Sequence, residues 1–258
     1  MNVPLFAAAP CLQPCVERWA AQFHLPQTTN STSTTWILRV TASHVELVDT
    51  TKKFTPIWID FLQGKLGLRA VKARPRNELI ARAVGVNQQY KPVVWDVTAG
   101  WGQDAFLLMM LGCRVTMIER SPVMAVLLQD ALDRFFSTQP TVSPGDFSLI
   151  FGDAQTYLED CLELPDVIYL DPMYPMRAKS SLVKKEMQIL QEIISEQAES
   201  SLLSLALTKV KNRVVVKRPL RGVFLEGKQP DFQCCGKTTR FDVYLRKNIV
   251  VSASEELY

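Results

Sequence analysis

The stretch VVWDVTAGWGQDAF, residues 93–106, joins a short apolar run to two glycines and the start of a helical pattern. The apolar run predicts a buried strand, and residues from Gln103 to Leu111 predict a helix that Gly112 ends. Glycines between a strand and a helix let the backbone approach a ligand, so Gly100 marks a candidate binding loop. A plain tight turn would explain this pattern equally well, and the rest of the chain has to decide.

The alternation of strand and helix continues toward the end of the chain. Further apolar runs are CRVTMIE, FSLIFGD, DVIYLD, RVVVKRP and FDVYLR, and the helices predicted between them span Pro122–Phe136, about Ala154–Leu162 and about Ser181–Ser195. This alternation predicts βαβ units and a mostly parallel central sheet with helices on both faces. We therefore expect an α/β, Rossmann-like domain over residues 86–258 and a small N-terminal α/β lobe over residues 1–85.

The first 85 residues follow a different pattern. Two β-like runs, Trp36–Val40 and His44–Val48, flank a short turn and predict a hairpin. A third run, Phe54–Phe61, precedes the basic stretch KLGLRAVKARPR. The pattern from Asn77 predicts a short helix that ends at Gly85.

Composition limits the class of protein. The chain has 258 residues, of which 47% are hydrophobic and 21% charged, as in an ordinary globular protein. Its net charge of +3 is too small to identify a partner, so any nucleic-acid surface must be a local patch. The sequence has no run of about 18 apolar residues, no basic segment typical of a secretory signal and no paired cysteine spacing typical of metal ligands. We expect a cytoplasmic protein without a membrane span or a metal site.

Candidate site residues stand where the predicted strands end. In an open α/β sheet, ligands bind beyond the carboxyl ends of the strands. The second strand of this domain ends at Glu119, which can accept hydrogen bonds from both ribose hydroxyls of a nucleoside. The third ends near Asp153, which can accept from an adenine amine or cap the following helix. The fourth ends in DPMYP, residues 171–175, where two prolines restrict the backbone around an acid and a ring.

Taken together, these segments resemble a known family. In this order, VTAGWGQDAF, GCRVTMIERSP, YLDPMYP, SLVKKEM and VVVKRP are similar to the bacterial small-subunit ribosomal RNA guanine-N2 methyltransferases of the RsmJ type, over about residues 54–245. The resemblance implies a class I methyltransferase that uses S-adenosylmethionine (SAM) to make N2-methylguanosine in 16S rRNA. Gly100 is already a candidate from the loop pattern. The resemblance adds expected cofactor contacts at Gln103, Asp104, Glu119, Arg120, Asp153, Ala154 and Asp171. Two features depart from the family pattern: Gln103 stands where Arg is usual, and FGDA replaces a Ser-containing stretch.

The DPMYP segment suits methylation of an exocyclic amine. Such an amine is a weak nucleophile because its lone pair is delocalised into the base. We expect the carboxylate of Asp171 and the carbonyl of Pro172 or Met173 to accept its two N–H groups and turn the lone pair toward the methyl donor. Tyr174 is expected to stack on the base once it has left its helix. Catalysis would then rest mainly on positioning, which is worth about 7 to 11 kcal/mol at best.

Basic residues near this segment suggest how RNA is held. We expect Lys184, Lys185, Lys217 and Arg218 to contact phosphates of 16S rRNA or of the small ribosomal subunit, although a solvated charged face would also explain them. An amino-methyltransferase acting on another RNA, on DNA or on a protein amide stays an alternative, as does an RNA-binding protein without enzymatic activity. Measuring cofactor binding separates the last alternative from the others.

Overall fold

The structure is a computed structural model that describes residues 3–32, 34–172 and 201–247. Within these residues the strands form two sheets. The smaller sheet contains β1 (Leu5–Ala7), β2 (Trp36–Val40) and β3 (Val45–Asp49). The larger sheet contains β4 (Val93–Asp96), β5 (Arg114–Glu119), β6 (Phe147–Phe151), β7 (Val167–Leu170), β8 (Arg213–Pro219), β9 (Phe232–Cys235) and β10 (Thr239–Leu245). The α-helices of the described residues are α1 (Gln13–Phe23), α2 (Gly64–Lys72), α3 (Leu79–Val84), α4 (Gln103–Met110), α5 (Pro122–Thr138), α6 (Ala154–Asp160) and α7 (Leu202–Thr208).

The strand order of the larger sheet is β6-β5-β4-β7-β8-β10-β9. Strands β6, β5, β4, β7 and β8 are parallel, whereas β10 runs antiparallel to both β8 and β9. This confirms the predicted α/β fold with a mostly parallel sheet. The chain moves outward from β4 to β6 and then returns to the other side of β4 as β7. The carboxyl ends of β4 and β7 therefore form a topological switch point, where open α/β sheets bind their ligands.

The faces of the larger sheet bury different sets of side chains because successive residues of a strand point to opposite sides. In β4, Val94 belongs to a core shared with α1, α3, α4 and α5, while Trp95 belongs to a second core with α6 and α7. Helices thus cover the sheet on both faces, as the continuous apolar character of its strands predicts.

The predicted hairpin is present, since β2 and β3 pair antiparallel from Trp36 opposite Asp49 to Val40 opposite Val45. The run from residue 54 to 61 forms no strand, and its pairing is a single bridge between Leu47 and Ile57. The run ends at Phe61, which packs within the core of the larger sheet. The boundary between residues 85 and 86 stays a prediction.

Helix ends agree with the local sequence. The α3 helix ends before Gly85, which adopts a φ of +86°, and the side chain of Ser121 caps α5 by accepting from the Met124 N–H. The helix predicted over residues 181–195 lies outside the described residues. Among the helices that the structure describes, none has the length and apolar character needed to cross a membrane.

Candidate active site

The loop between β4 and α4 is tied to the end of β5 through Glu119. One carboxylate oxygen, Oε2, accepts from the Gly100 N–H at 2.9 Å, and Oε1 accepts from the Ser121 N–H at 2.8 Å. The residue is only 8% exposed, and its burial raises the pKa of the carboxyl group. The two N–H donors fix the orientation of the carboxylate, and each oxygen keeps a lone pair for a further donor.

The two glycines of this loop have different roles. Gly100 has a φ of +52°, and a Cβ built on it would meet nothing closer than the Thr98 carbonyl oxygen at 3.9 Å. Gly102 has a φ of +66°, but a Cβ there would lie 2.8 Å from Cδ2 of Leu128. The backbone at Gly100 is therefore open to a ligand, whereas Gly102 is required by the turn and by core packing.

Lys217 bridges two acids at the switch point. Its Nζ lies 2.7 Å from Oδ2 of Asp104, in the first turn of α4, and 2.7 Å from Oδ2 of Asp171, just after β7. The hydroxyl of Tyr169 donates to the same oxygen of Asp104 at 2.7 Å. Burial disfavours the charged form of Lys217, but the two carboxylates outweigh it and raise its pKa. Lys217 is thus a fixed cation that holds α4, β7 and β8 together.

Asp171 is positioned through its backbone as well as its side chain. Its N–H donates to Oγ1 of Thr98 at 2.6 Å. Its side chain is 39% exposed and therefore reachable by a ligand. Desolvation by the surrounding protein raises the pKa of Asp171, while the ammonium of Lys217 opposes the rise. Lys217 donates to Oδ2, whereas no residue that the structure describes donates to Oδ1, so Oδ1 is the oxygen with more capacity for an incoming N–H donor.

A buried acid, Asp96, helps to hold Asp171 in place through Thr98. Asp96, the last residue of β4, is 2% exposed, and burial raises its pKa well above the usual range. Its Oδ1 accepts from the Thr98 N–H at 3.2 Å. Since the Thr98 hydroxyl accepts from Asp171, Asp96 acts on the site by holding Thr98.

The remaining predicted cofactor residues lie around the same edge of the sheet. Asp153 is exposed and caps α6, where its Oδ1 accepts from the Thr156 N–H at 3.0 Å. Ala154 is buried in the second core, and Gln103 is exposed at the start of α4. Arg120 is partly exposed and favours the ionised form of its neighbour Glu119. The structure thus brings Glu119, Gly100, Asp104 and Asp171 together, while direct cofactor contacts by these residues stay predictions.

One of the predicted phosphate contacts requires correction. Lys217 is held by two carboxylates and is partly exposed, and its contact with a phosphate stays a prediction. Arg218 is 1% exposed, and its guanidinium donates to the carbonyl of Val223. We assign it to holding the segment after β8, because a buried guanidinium offers no surface to a phosphate. Lys184, Lys185 and the predicted stacking residue Tyr174 lie outside the described residues.

Sequence reasoning missed the roles of Thr98, Asp96 and Tyr169. One signal was present, since Tyr169 and Lys217 each interrupt an otherwise apolar strand, VIYL and VVVKR. A polar side chain in a buried strand needs a partner, which predicts a contact across the sheet. Identifying Asp104 as that partner requires the strand order, which these runs do not specify.

The chemistry of these residues fits the cofactor that the family resemblance implies. SAM carries a ribose with two hydroxyl donors, for which the oriented Glu119 carboxylate provides acceptors. The open backbone at Gly100, at the amino end of α4, provides a surface that a ligand can approach closely. Asp153 retains a second oxygen beside its capping bond, and no described residue donates to that oxygen. These three residues would hold the nucleoside part of the cofactor.

Comparisons with known proteins agree with this site. Residues 18–246 match the SAM_MT family of SAM-dependent methyltransferases. The chain is 47% identical over 234 residues to ribosomal RNA small subunit methyltransferase J of Coxiella burnetii (strain Dugway 5J108-111), covering 90% of this chain and 92% of that protein. It is 43% identical to the protein of the same name from Thioalkalivibrio sulfidiphilus, covering 89% and 92%.

A solved structure gives the same result for the fold. The crystal structure of a SAM-dependent methyltransferase from Neisseria gonorrhoeae superposes with a TM-score of 0.74 at 32% identity and covers 95% of this chain and 97% of that one. The match therefore includes both the larger sheet and the N-terminal residues. From the family match, the relatives and the shared fold, it follows that this chain belongs to the ribosomal RNA small subunit methyltransferase J family of SAM-dependent methyltransferases.

Proposed function

We propose that this protein transfers a methyl group from SAM to the exocyclic N2 amine of a guanosine in 16S rRNA. The observation that carries the proposal is Asp171, an acid held at the switch point by Thr98 and Lys217, to whose Oδ1 no described residue donates. The names of the relatives supply the substrate class, since they are methyltransferases of small-subunit ribosomal RNA. The choice of the N2 amine rests on the resemblance of DPMYP to the family pattern.

When bound, SAM supplies a methyl group on a positively charged sulfur, which makes that methyl group electrophilic. The residues of this chain have to orient the amine toward it. Asp171 accepts one N–H of the amine, and the carbonyl of Pro172 is placed directly after it as a second acceptor. With both N–H groups engaged, the nitrogen lone pair is directed out of the plane of the base. Positioning of this kind lowers a barrier by roughly 7 to 11 kcal/mol when alignment is good.

Lys217 keeps Asp171 suited to this role. A protonated carboxyl group would donate a hydrogen bond where the amine needs an acceptor. The ammonium group at 2.7 Å favours the ionised form and opposes the effect of desolvation. After the transfer the nitrogen is positively charged and strongly acidic, so Asp171 can accept its proton without being a strong base beforehand.

Other parts of the proposal concern the substrate. Tyr174 is proposed to stack on the flipped base, and Lys184 and Lys185 are proposed to lie beside the RNA. We also propose that the protein acts in the cytoplasm, where ribosomal RNA is made and assembled in bacteria. Whether naked 16S rRNA or the assembled subunit is methylated is decided by offering both to the enzyme.

The proposal is tested by mass spectrometry of nucleosides from 16S rRNA of a strain that lacks this protein. N2-methylguanosine should fall by one residue per rRNA molecule and return when the wild-type protein is supplied. The Asp171→Ala variant should not restore it, and its transfer rate should fall by about 10²- to 10⁴-fold, the usual range for a group that receives a proton. Thermal unfolding of the variant checks that it keeps its fold. An unchanged N2-methylguanosine content would contradict the proposal.

A further inference from the structure

A basic segment beside the site is not used by any of the chemistry described so far. Residues 61–77 contain five cations, Lys65, Arg69, Lys72, Arg74 and Arg76, and no acidic residue. The whole chain has a net charge of +3, so the other residues together carry a net charge of −2. The segment that forms α2 and the turn after it therefore carries a larger net positive charge than the whole chain.

The α2 helix presents this charge to solvent on one face. Lys65, Leu68, Arg69 and Lys72 are spaced i, i+3, i+4 and i+7, which places them in one stripe along the helix. All four side chains are exposed, whereas Gly67 and Ala70 are buried on the opposite face. The apolar residues Leu68 and Val71, which are three positions apart on α2, are 65% and 71% exposed and lie beside the cations.

The five cations differ in what they already bind. Arg69 forms an ion pair with Glu78, and Arg74 donates to the carbonyls at the end of α2. The side chains of Lys65, Lys72 and Arg76 form no hydrogen bond or ion pair with any other residue that the structure describes, and all three are exposed. These three charges are therefore available to an external anionic partner.

The segment is fixed next to the proposed active site. Phe61 anchors its start, with its ring stacked on Phe106 of α4 at 4.9 Å between centroids. The α2 helix contacts α4, which carries Asp104 in its first turn. The charge of Asp104 adds to the larger effect of Glu78 in raising the pKa of Arg69. The stripe thus lies on the same side of the molecule as the Lys217 ion pairs.

We infer that the exposed stripe of α2 and the turn through Arg76 form an RNA-binding surface, which holds the phosphate backbone of the rRNA next to the target base. Polyanionic RNA is the partner that five cations without an intervening acid would recognise, and exposed Leu68 and Val71 can cover sugar or base surfaces. Phosphate contacts position a nucleic acid without reading its sequence. The inference rests on the proposed function in naming 16S rRNA as the RNA.

The test compares two triple variants of the full chain. Lys65→Ala, Lys72→Ala and Arg76→Ala together remove the three available charges. Lys91→Ala, Lys211→Ala and Lys247→Ala remove the same charge at exposed positions on the opposite edge of the sheet, before β4, before β8 and after β10. Affinity for unmodified 16S rRNA, transcribed in vitro, is measured over a salt series, and SAM affinity is measured by calorimetry.

The α2 variant should bind rRNA at least about tenfold more weakly at low salt. The slope of log affinity against log salt should be smaller by about 2 to 3, because each phosphate contact contributes roughly 0.7 to 0.9. SAM affinity should stay unchanged, and the control variant should keep most of the wild-type slope. The inference would be overturned if the α2 variant showed the same salt dependence as the wild type, or if both variants lost RNA affinity equally.

Two further measurements separate other outcomes. If the wild type transfers no methyl group to 16S rRNA, the proposed function is wrong. The salt dependence of RNA affinity still tests whether α2 binds RNA. Analytical sedimentation of the wild type and of a Leu68→Ser, Val71→Ser variant tests whether a second molecule of this protein covers the exposed face of α2. A dimer that dissociates in this variant without loss of RNA affinity would also overturn the inference, and a monomeric wild type would support it.

Discussion

Glu119 joins the binding loop to the site where a ribose would lie. We expect Glu119→Ala to weaken SAM binding about tenfold or more, since a lost hydrogen bond to a charged group costs roughly 1.5 to 3 kcal/mol. The variant also loses the hydrogen bond from the Gly100 N–H to the Glu119 carboxylate, which positions the binding loop. Titration calorimetry measures the change, with the exposed Glu163→Ala as a matched control. Equal affinities for wild type and Glu119→Ala would rule out the assignment of Glu119 to the ribose.

The contact between Lys217 and Asp171 leads to a prediction about how methyl-transfer activity depends on pH. Methyl transfer requires ionised Asp171, so activity falls as the pH drops through the pKa of that group. Desolvation already raises this pKa and Lys217 opposes the rise, so Lys217→Met should raise it further. The acidic limb of the pH–rate profile should then move to higher pH, with activity recovering in more alkaline buffer.

The conservative variant separates electrostatics from packing. Lys217→Arg keeps a positive charge near both carboxylates and should leave the acidic limb closer to that of the wild type. If both variants lose activity equally at every pH, Lys217 serves only to hold the strands in place. The pH–rate profile of each variant is the deciding measurement.

At the level of elements, the loop before α4 depends on a glycine for packing as well as for the turn. Gly102→Ala would place a Cβ 2.8 Å from Leu128 and strain a backbone with a φ of +66°. Strain and overpacking together should lower the free energy of unfolding by about 2 to 4 kcal/mol. A Cβ at Gly152 meets nothing within 4 Å, so Gly152→Ala is the control. Denaturant unfolding of both variants checks this, and equal stabilities would contradict it.

Strong periodicity made several elements predictable. The helix predicted from Gln103 is present and ends one residue early, at Met110, and α5 extends two residues beyond its predicted end. The α2 helix was not predicted because its exposed apolar residues, Leu68 and Val71, disturb the pattern of one apolar face. The short strand β9, FQCC, was also missed, since only Cys234 is buried in it and alternation is weak.

The candidate site was predictable only in part, for a physical reason. An acid at a strand end can be read from the sequence, which is how Glu119 and Asp171 were found. The contact between Lys217 and Asp104 depends on β8 lying beside β7 and on α4 starting near both. Local patterns do not specify which strands are neighbours, so such pairs appear only once the sheet is assembled.

On the scale of the whole molecule, Phe61 connects the N-terminal residues to the larger sheet. Its ring is 1% exposed and lies against Phe106 and Phe147. Phe61→Ala should lower the free energy of unfolding by about 3 to 5 kcal/mol, the usual cost of removing a buried ring. Leu162→Ala, at a position that is 98% exposed, is the control and should have little effect.

Calorimetry of the wild type adds a test of how the two parts fold. Because residues of the N-terminal sheet and of α4 and α5 belong to one core, we expect a single unfolding transition. Two separate transitions, with Phe61→Ala affecting only one of them, would mean that the parts are stable independently.

The bridge formed by Lys217 has a consequence for synthesis of the protein on the ribosome. Asp104 and Asp171 are translated well before Lys217, and bringing the two carboxylates together without its ammonium group is electrostatically unfavourable. The strand that delivers the lysine, β8, must also be inserted beside β7 before the bridge can close. A chain that ends before residue 217 lacks both this cation and a complete β8, so we expect methyl-transfer activity to be acquired only late in translation.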